Sequence, residues 1–421
     1  MHNEDDDAAE TRVSAALPST RAAGVAASTS TADELVKSVS QLFPEGLVLE
    51  STIGRGTVSS TTYAFVPNRR AARFLVPLPN RTSAGKTLRK YSSALTPREI
   101  TQRTAMSMAL HLGGSSVLRD RVTVLGEHRS LRTFLSGWFG EPVTFSVSIG
   151  TARVNRKPVL QVFDLKGRTL AYAKVGFTGH IIDDIRVEAA ALRQVEGVLP
   201  REVVAPRVLG TELWEGSCVM LLSPLAASAW QPWNGRRVPP TRQMQLLNEA
   251  FAQPDQLLVE TPMWQRTQRS IHELGTDPLG LRLGTLSREL ESRALARPVR
   301  VGAWHGDWTS WNMARGWRKV LLWDWERFET GVPAGLDHCH FVVNALTRER
   351  GFSVQNVLEP LAGLRPAGQH ATSADLAVGA YLTRLALRYA SASRGPGGHL
   401  IAPRASVLLA ALDSWLEGSR R

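Results

Sequence analysis

One stretch in the second half of the chain contains acid, amide and imidazole side chains at spacings that constrain everything around them. A His-Gly-Asp triplet occupies residues 305–307, and Asn312 follows five residues after Asp307. Asp324 comes twelve residues after Asn312. It directly follows the apolar run 320–323, which is typical of a buried strand. The pattern predicts one loop that presents Asp307 and Asn312, followed by a strand that presents Asp324.

These residue types suit phosphoryl transfer, which requires few protein groups. The reaction needs a carboxylate beside the attacking hydroxyl and oxygen ligands that hold Mg²⁺ on the phosphates. Asp307 is the candidate for the first role, and Asn312 and Asp324 are candidates for the second. Mg²⁺ prefers such hard oxygen donors and keeps phosphate oxygens and waters in its shell.

The pattern H-G-D-x-x-x-x-N, followed by a strand that ends in W-D-W-E, resembles the aminoglycoside phosphotransferase and choline kinase group. That group has the protein-kinase-like fold, and the resemblance extends over residues 141–345. It implies that Asp307 is the catalytic base, with Asn312 and Asp324 as Mg²⁺ ligands and His305 as a structural brace of the loop. It further implies ATP or GTP as the phosphoryl donor and a small molecule with a hydroxyl group as the acceptor.

A cation on the nucleotide phosphates, held by a helix carboxylate, completes such a site. The chain has only seven lysines, and Lys174 lies in the apolar strand-like run 169–177, where a lysine is costly to bury unless it is paired. Glu188 follows fourteen residues later in a helical segment. The resemblance implies that this pair binds the nucleotide, and it places the nucleotide loop at 148–153, where Gly150 is the one glycine.

Composition divides the chain into four parts. Residues 1–34 are rich in Ala, Ser, Thr and acidic side chains and predict a disordered acidic tail. Residues 35–140 predict a basic N-terminal extension, 141–225 a small β-rich N-lobe, and 226–421 a helical C-lobe with the catalytic loop. The expected fold is therefore α+β: a protein-kinase-like, two-lobed body with an extra N-terminal α/β extension.

Composition and charge limit the cellular compartment and the binding partners that we expect for this chain. No apolar run approaches the roughly 20 residues that span a bilayer, the acidic N-terminus does not look like a signal peptide, and there are only two cysteines, so a cytoplasmic protein is expected. The formal net charge is +12, and residues 51–134 alone contain fourteen Lys or Arg against three Asp or Glu. No helix-turn-helix, zinc or aromatic stacking motif accompanies this charge, so a nucleic-acid partner is not expected.

The acceptor is constrained by charge as well. Residues 335–421, which help to build the acceptor site in the group that the motif resembles, contain six Asp or Glu against nine Arg. This balance favours a neutral or anionic acceptor over a polycation. Trp308 and Trp311 lie within the catalytic loop and are candidates for stacking on a substrate ring.

The sequence thus predicts an ATP-dependent phosphotransferase that moves a γ-phosphoryl group to a hydroxyl of a small molecule. The alternative is a catalytically silent, kinase-like protein that binds a nucleotide and acts as a scaffold through its basic extension. The sequence does not distinguish ATP from GTP and contains no indication of the oligomeric state.

Overall fold

The computed structural model describes eleven segments of the chain. They are residues 40–44, 46–49, 61–68, 72–124, 129–148, 158–227, 231, 235–295, 297–364, 373–395 and 397–418. The predicted tail at 1–34 and the predicted nucleotide-loop glycine, Gly150, lie outside the described residues.

The described residues contain fifteen strands. In chain order they are β1 (Leu47–Leu49), β2 (Thr61–Val66), β3 (Phe74–Pro77), β4 (Arg121–Val124), β5 (Val143–Ser148), β6 (Val159–Asp164), β7 (Thr169–Gly176), β8 (Val203–Val204), β9 (Val208–Trp214), β10 (Ser217–Leu222), β11 (Gln253–Leu257), β12 (Pro298–Trp304), β13 (Met313–Arg315), β14 (Val320–Leu322) and β15 (Glu329–Pro333).

The same residues contain eleven α-helices. They are α1 (Arg81–Thr87), α2 (Pro97–His111), α3 (Leu131–Phe139), α4 (Gly179–Val195), α5 (Thr241–Ala250), α6 (Pro262–Glu273), α7 (Pro278–Ala294), α8 (Leu336–Arg350), α9 (Val354–Ala362), α10 (Ser373–Ser393) and α11 (Ala402–Gly418). Within the described segments, no helix combines the length and apolar character needed to cross a bilayer.

Nine of the strands form one antiparallel sheet in the order β1-β4-β2-β3-β5-β6-β7-β10-β9. The first four of these strands belong to the predicted extension and the other five to the predicted N-lobe. They join where β3 pairs with β5, with Phe74 opposite Ser148 and Leu75 opposite Val147. The predicted boundary at residue 140 therefore lies within one continuous sheet, and the division into two units stays a prediction.

One face of this sheet packs on a shared aromatic core. The rings of Phe43, Tyr63 and Phe145 lie 5.6 to 6.0 Å apart, centre to centre. Phe43 and Tyr63 belong to the predicted extension and Phe145 to the predicted N-lobe. All three side chains are buried. Burying each ring stabilises the fold by about 1.5–3 kcal/mol, so the extension and the N-lobe stabilise each other.

The helical lobe is built around α10. This helix is buried on nearly every side and packs against α7, α8 and α11, as expected for a helix whose sequence is apolar all round. Its core also includes residues of α6 and of the short sheet β11-β12-β15. The predicted α+β class, with a β-rich lobe followed by a helical lobe, is confirmed.

A second short sheet, β13-β14-β8, connects the two lobes. β8 follows α4, and it pairs in parallel with β14 through Val203 opposite Val320 and Val204 opposite Leu321. Because β14 leads directly to Asp324, this pairing fixes the approach of that carboxylate to the β lobe.

Candidate active site

A buried ion pair joins β7 to α4. Lys174 Nζ lies 2.7 Å from both carboxylate oxygens of Glu188, and the residues are 6% and 0% exposed. Alternate residues of a strand face opposite sides, so Lys174 points toward α4 while Ala173 and Val175 enter the aromatic core of the sheet. The sequence-predicted proximity of Lys174 and Glu188 is present in the structure.

A third group completes this cluster from the helical lobe. Asp324 Oδ1 lies 2.5 Å from Lys174 Nζ, and the backbone N–H of Trp325 donates to Glu188 Oε1 at 3.3 Å. Burial by itself would lower the pKa of Lys174, but the charges of Asp324 and Glu188 outweigh it and raise that pKa. Lys174 is therefore held as a cation between two carboxylates from different elements.

Asp324 has a backbone conformation that few side chains adopt. Its φ is +65°, and it begins the 3₁₀ turn Trp325–Arg327. Aspartate tolerates this left-handed region better than most residues because its short polar side chain can bond locally. The turn aims the carboxylate back at the β lobe, whereas the next side chain, Trp325, is buried beneath the catalytic loop.

The predicted catalytic loop joins β12 to β13, and His305 braces it from within. The ring of His305 is buried, its Nδ1 accepts from the N–H of Asp307 at 3.3 Å, and its Nε2 lies 3.1 Å from the carbonyl oxygen of Trp323. This arrangement requires a neutral ring protonated on Nε2. Burial lowers the pKa of His305 to about 4, which keeps the ring neutral at physiological pH.

Asp337, in the first turn of α8, holds the loop from the other side. Its two carboxylate oxygens accept from the backbone N–H groups of His305 at 2.7 Å and Gly306 at 3.0 Å. Arg388 of α10 adds a bond from its guanidinium to the carbonyl oxygen of Gly306 at 2.9 Å. Burial raises the pKa of Asp337 to about 7 despite the two amide bonds. These contacts fix the backbone from which Asp307 projects.

The carboxylate of Asp307 is bonded through both oxygens. His340 Nε2 donates to Oδ1 at 3.0 Å, and Asn312 Nδ2 donates to Oδ2 at 2.8 Å and to the backbone oxygen of Asp307 at 3.0 Å. Burial would raise the pKa of Asp307, but the hydrogen bond from His340 and the nearby charge of Arg388 lower it to about 2. Asp307 is therefore ionised at neutral pH, and its side chain is still one-third exposed.

The donor set of Asn312 and Asp324 fits a magnesium ion. Asn312 uses its amide nitrogen on Asp307, so its oxygen is the atom left for a metal. Asp324 is 40% exposed at its side chain, and carboxylate and amide oxygens are the ligands that Mg²⁺ prefers. Among the described residues no group of three or more His, Cys, Asp or Glu has metal-binding geometry, so protein ligands alone would leave several positions for phosphate oxygens and water.

A cavity of about 310 Å³ opens beside this cluster, between the lobes. Lys174 and Asp324 line one end, and Leu222, Ser223 and Leu225 line another part of its wall at the end of β10. The cavity is also bounded by residues from the extension, the sheet and the catalytic loop: Arg89, Lys90, Tyr91, Ser92, Ser148, Val159, Tyr172, Pro206, Ala227, Trp311 and Trp323.

The two loop tryptophans that were candidates for substrate contact, Trp308 and Trp311, lie in different environments. Trp311 lines the cavity, but Trp308 is fully buried and its Nε1 points to the sulfur of Met313 at 3.3 Å. A ring in that position packs the loop and cannot stack on a substrate. The hypothesis of a substrate contact is therefore wrong for Trp308.

Sequence reasoning missed two residues that the structure places at the loop. His340 lies three residues after Asp337, about one helical turn, so both side chains are on one face of α8. This spacing was the only sequence pattern that could have placed His340 near the loop. Arg388 donates to the carbonyl oxygen of Gly306, which lies 82 residues earlier in the chain. The apolar sequence of α10 predicts that this helix is buried but does not predict which residues contact the loop.

Comparison with known proteins yields structural similarity alone. No protein-family model matches the chain, and no curated protein matches its sequence. A thermostable mutant of the aminoglycoside phosphotransferase APH(4)-Ia in complex with ADP and hygromycin B superposes with a TM-score of 0.47 at 14% identity, over 68% of this chain and 98% of that chain.

Two further solved structures are similar at comparable levels. The spectinomycin phosphotransferase APH(9)-Ia, in complex with ADP and spectinomycin, has a TM-score of 0.41 at 9% identity, over 68% of this chain and 97% of that one. A choline/ethanolamine kinase family protein from Mesorhizobium loti has a TM-score of 0.40 at 15% identity, over 64% and 88%. The names of these proteins refer to the same groups that the motif of residues 305–326 resembles.

Gly306 provides a direct test of the loop geometry. Its φ is +77°, and a Cβ there would lie 2.3 Å from the carbonyl oxygen of Arg327, a backbone atom that cannot move aside cheaply. Gly306→Ala should therefore destabilise the fold by several kcal/mol in denaturant titration, more than backbone strain alone explains.

Gly335→Ala is the matched control. Gly335 also has a positive φ, +93°, but an added Cβ would meet nothing within 4 Å, so only the strain of about 1–2 kcal/mol is expected. Equal losses for the two variants would show that the contact between the loop and Arg327 does not constrain position 306.

Proposed function

We propose that this chain is an ATP-dependent phosphotransferase that moves a γ-phosphoryl group to a hydroxyl of a small molecule. The observation that supports this most strongly is the cluster of Lys174, Glu188 and Asp324 beside an interlobe cavity that Lys174 and Asp324 line. The Asp307 loop leads into β13, which pairs with β14, the strand before Asp324. Phosphoryl transfer depends on positioning and on charge stabilisation, and this arrangement supplies fixed charges for both.

The proposed roles follow from the contacts. Lys174 would bind phosphate oxygens, with Glu188 holding its ammonium group in place. Asn312 and Asp324 would hold Mg²⁺, which, when bound, neutralises charge on the phosphates. The nucleoside would occupy the rest of the cavity toward Ser223.

Asp307 would act on the acceptor hydroxyl chiefly by orienting it. A carboxylate with a pKa near 2 is a weak base, and proton transfer is most efficient when the pKa of the base lies near the working pH. A loose phosphoryl-transfer transition state tolerates this because the hydroxyl loses its proton late. The fixed donors His340 and Asn312 keep the carboxylate pointed at one position.

Asp307→Asn tests the proposal. The purified chain would be incubated with [γ-³³P]ATP, Mg²⁺ and a metabolite extract, and labelled products would be separated from ATP. The wild type should label an acceptor, and the variant should lose about 10²–10⁴-fold in rate while it retains ATP binding. Asp183→Asn, at an exposed helix position, is the control. ATP binding with no labelled product in any extract would contradict the proposal and favour a silent nucleotide-binding scaffold.

His340 allows a finer test of how Asp307 is held. His340→Ala removes a charge-assisted donor worth about 1.5–3 kcal/mol, so kcat should fall about 10- to 100-fold while the KM for ATP stays constant. His340→Gln, which restores an N–H donor, should recover part of the loss. His338→Ala is the control on the same helix, because its ring contacts Thr241 instead. A parallel rise in KM with no rescue would indicate a merely structural role.

We infer the charge of the acceptor from a second cavity. It measures about 410 Å³ and is lined by Trp304, just before the catalytic loop, and by Arg327, Arg384 and Arg388. Two carboxylates also line it: Glu326 lies 3.7 Å from Arg327, and Glu329 accepts from Arg384 as well as from Arg266 and Trp304. Three lining guanidinium groups against two carboxylates leave a net positive charge, which supports a neutral or anionic acceptor.

Charge fractionation of the extract checks this class. The extract would be passed over a cation exchanger before labelling, and acceptor activity is expected in the unretained fraction. Acceptor activity found only in the retained fraction would contradict the proposed charge, although phosphotransfer itself would stand.

A further inference from the structure

Four residues of the basic extension reach the interlobe cavity. The segment Arg89–Ser92, between α1 and α2, lines the same 310 Å³ space as Lys174 and Asp324. Four strands of the extension build the far half of the large sheet, and among its described residues the segment Arg89–Ser92 is the part that lines the cavity.

Contacts at both ends hold the segment across the cavity. On the β lobe, Lys86 Nζ donates to the carbonyl oxygen of Gly167 at 2.8 Å, which fixes α1 on the turn between β6 and β7. On the helical lobe, the N–H of Ser93 donates to the carbonyl oxygen of Met313 at 2.9 Å. Met313 directly follows Asn312 of the catalytic loop. The segment that lines the cavity is therefore flanked by a contact to the β lobe and a contact to the helical lobe.

Lys90 is the unusual residue of this segment. Its side chain is half-buried, and Nζ lies 5.1 Å from the centre of the Tyr172 ring. Within the described residues no carboxylate pairs with it, and the charged neighbour is another cation, Arg103, which donates to the Lys90 carbonyl oxygen. Burial, and to a lesser degree Arg103, lower the pKa of Lys90 to about 7. A half-buried amine without an acceptor is costly unless a ligand supplies one.

The position of Tyr172 indicates which part of a ligand Lys90 faces. Tyr172 lies two residues before Lys174 on β7, about 7 Å along the strand and on the same face. It pairs with Leu222, which leads to the end of the cavity wall at Ser223. Lys90 is therefore displaced from the Lys174–Asp324 end toward the part of the cavity lined by the end of β10.

We propose that the segment Arg89–Ser92 is a wall of the nucleotide pocket and that Lys90 Nζ donates a hydrogen bond to the nucleoside part of the bound nucleotide. This inference rests on the proposed function, because it assumes that the cavity binds a nucleotide. It assigns the extension a direct part in ligand binding in addition to its place in the sheet.

Calorimetric titration with ADP, GDP and their nucleosides tests this assignment. Lys90→Met keeps the length of the side chain but removes the donor, and it should weaken binding of the preferred nucleotide and of its nucleoside by a similar factor, about 10- to 100-fold. Lys90→Arg should retain part of the affinity. Lys166→Met, at an exposed lysine on the turn between β6 and β7, should bind like the wild type. Melting temperatures of all variants verify that they fold.

A second measurement does not depend on a substitution. Amine acetylation of the wild type, mapped by mass spectrometry, should show that bound nucleotide protects Lys90 but leaves Lys166 reactive. Wild-type affinity in Lys90→Met together with no protection of Lys90 would overturn the inference and leave the proposed function intact. Tighter binding in Lys90→Met would also overturn it, because the segment would then obstruct the pocket.

Two further outcomes distinguish a wrong placement of Lys90 from a wrong proposed function. Loss of affinity for ADP or GDP but not for the nucleosides would overturn the placement of Lys90 at the nucleoside end. Absence of ADP and GDP binding by the wild type in the calorimetric titration would overturn the proposed function and with it this inference.

Discussion

The bond of Lys174 to two carboxylates is the interaction on which the arrangement of the two lobes depends. Lys174 and Glu188 are both removed from water, which costs several kcal/mol per ion, and only close pairing offsets that cost. Glu188 is on a helix that packs under the sheet, and Asp324 follows a strand of the other lobe. The cluster can therefore form only if β7, α4 and the turn after β14 take up one relative placement.

The catalytic loop is fixed by polar groups that are themselves buried. Asp337 holds two successive amide groups, His305 bridges the loop to the strand before Asp324, and Arg388 binds the loop carbonyl. Each of these side chains would be expensive to bury without its partner, so the loop has one low-energy conformation rather than several. The exposed edge of Asp307 is consequently presented by a rigid support, as the proposed catalysis by positioning requires.

Much of this could be predicted from the sequence because the decisive signals are local. The spacing from Asp307 to Asn312 and the apolar run before Asp324 describe a loop and a strand, and the scarcity of lysine left Lys174 with few competitors. The continuity of the sheet across residue 140 could not be predicted, since the pairing of β3 with β5 joins strands about 70 residues apart. Arg388 and Lys90 were missed for the same reason: both approach the site from distant segments, and helix or loop periodicity contains no information about such contacts.

The continuity of the large sheet also affects whether the chain can be shortened at residue 141. The strand β5 pairs along its whole length with β6 of the N-lobe, and at Val147 and Ser148 it also pairs with β3 of the extension. A shortened chain that begins at residue 141 would lose the pairing with β3, together with the aromatic rings of Phe43 and Tyr63 that pack on Phe145. It would turn β5 into an edge strand in which Val143, Phe145 and Val147 alternate with Thr and Ser, and such an edge is a template for intermolecular pairing. The extension thus protects the β lobe from self-association.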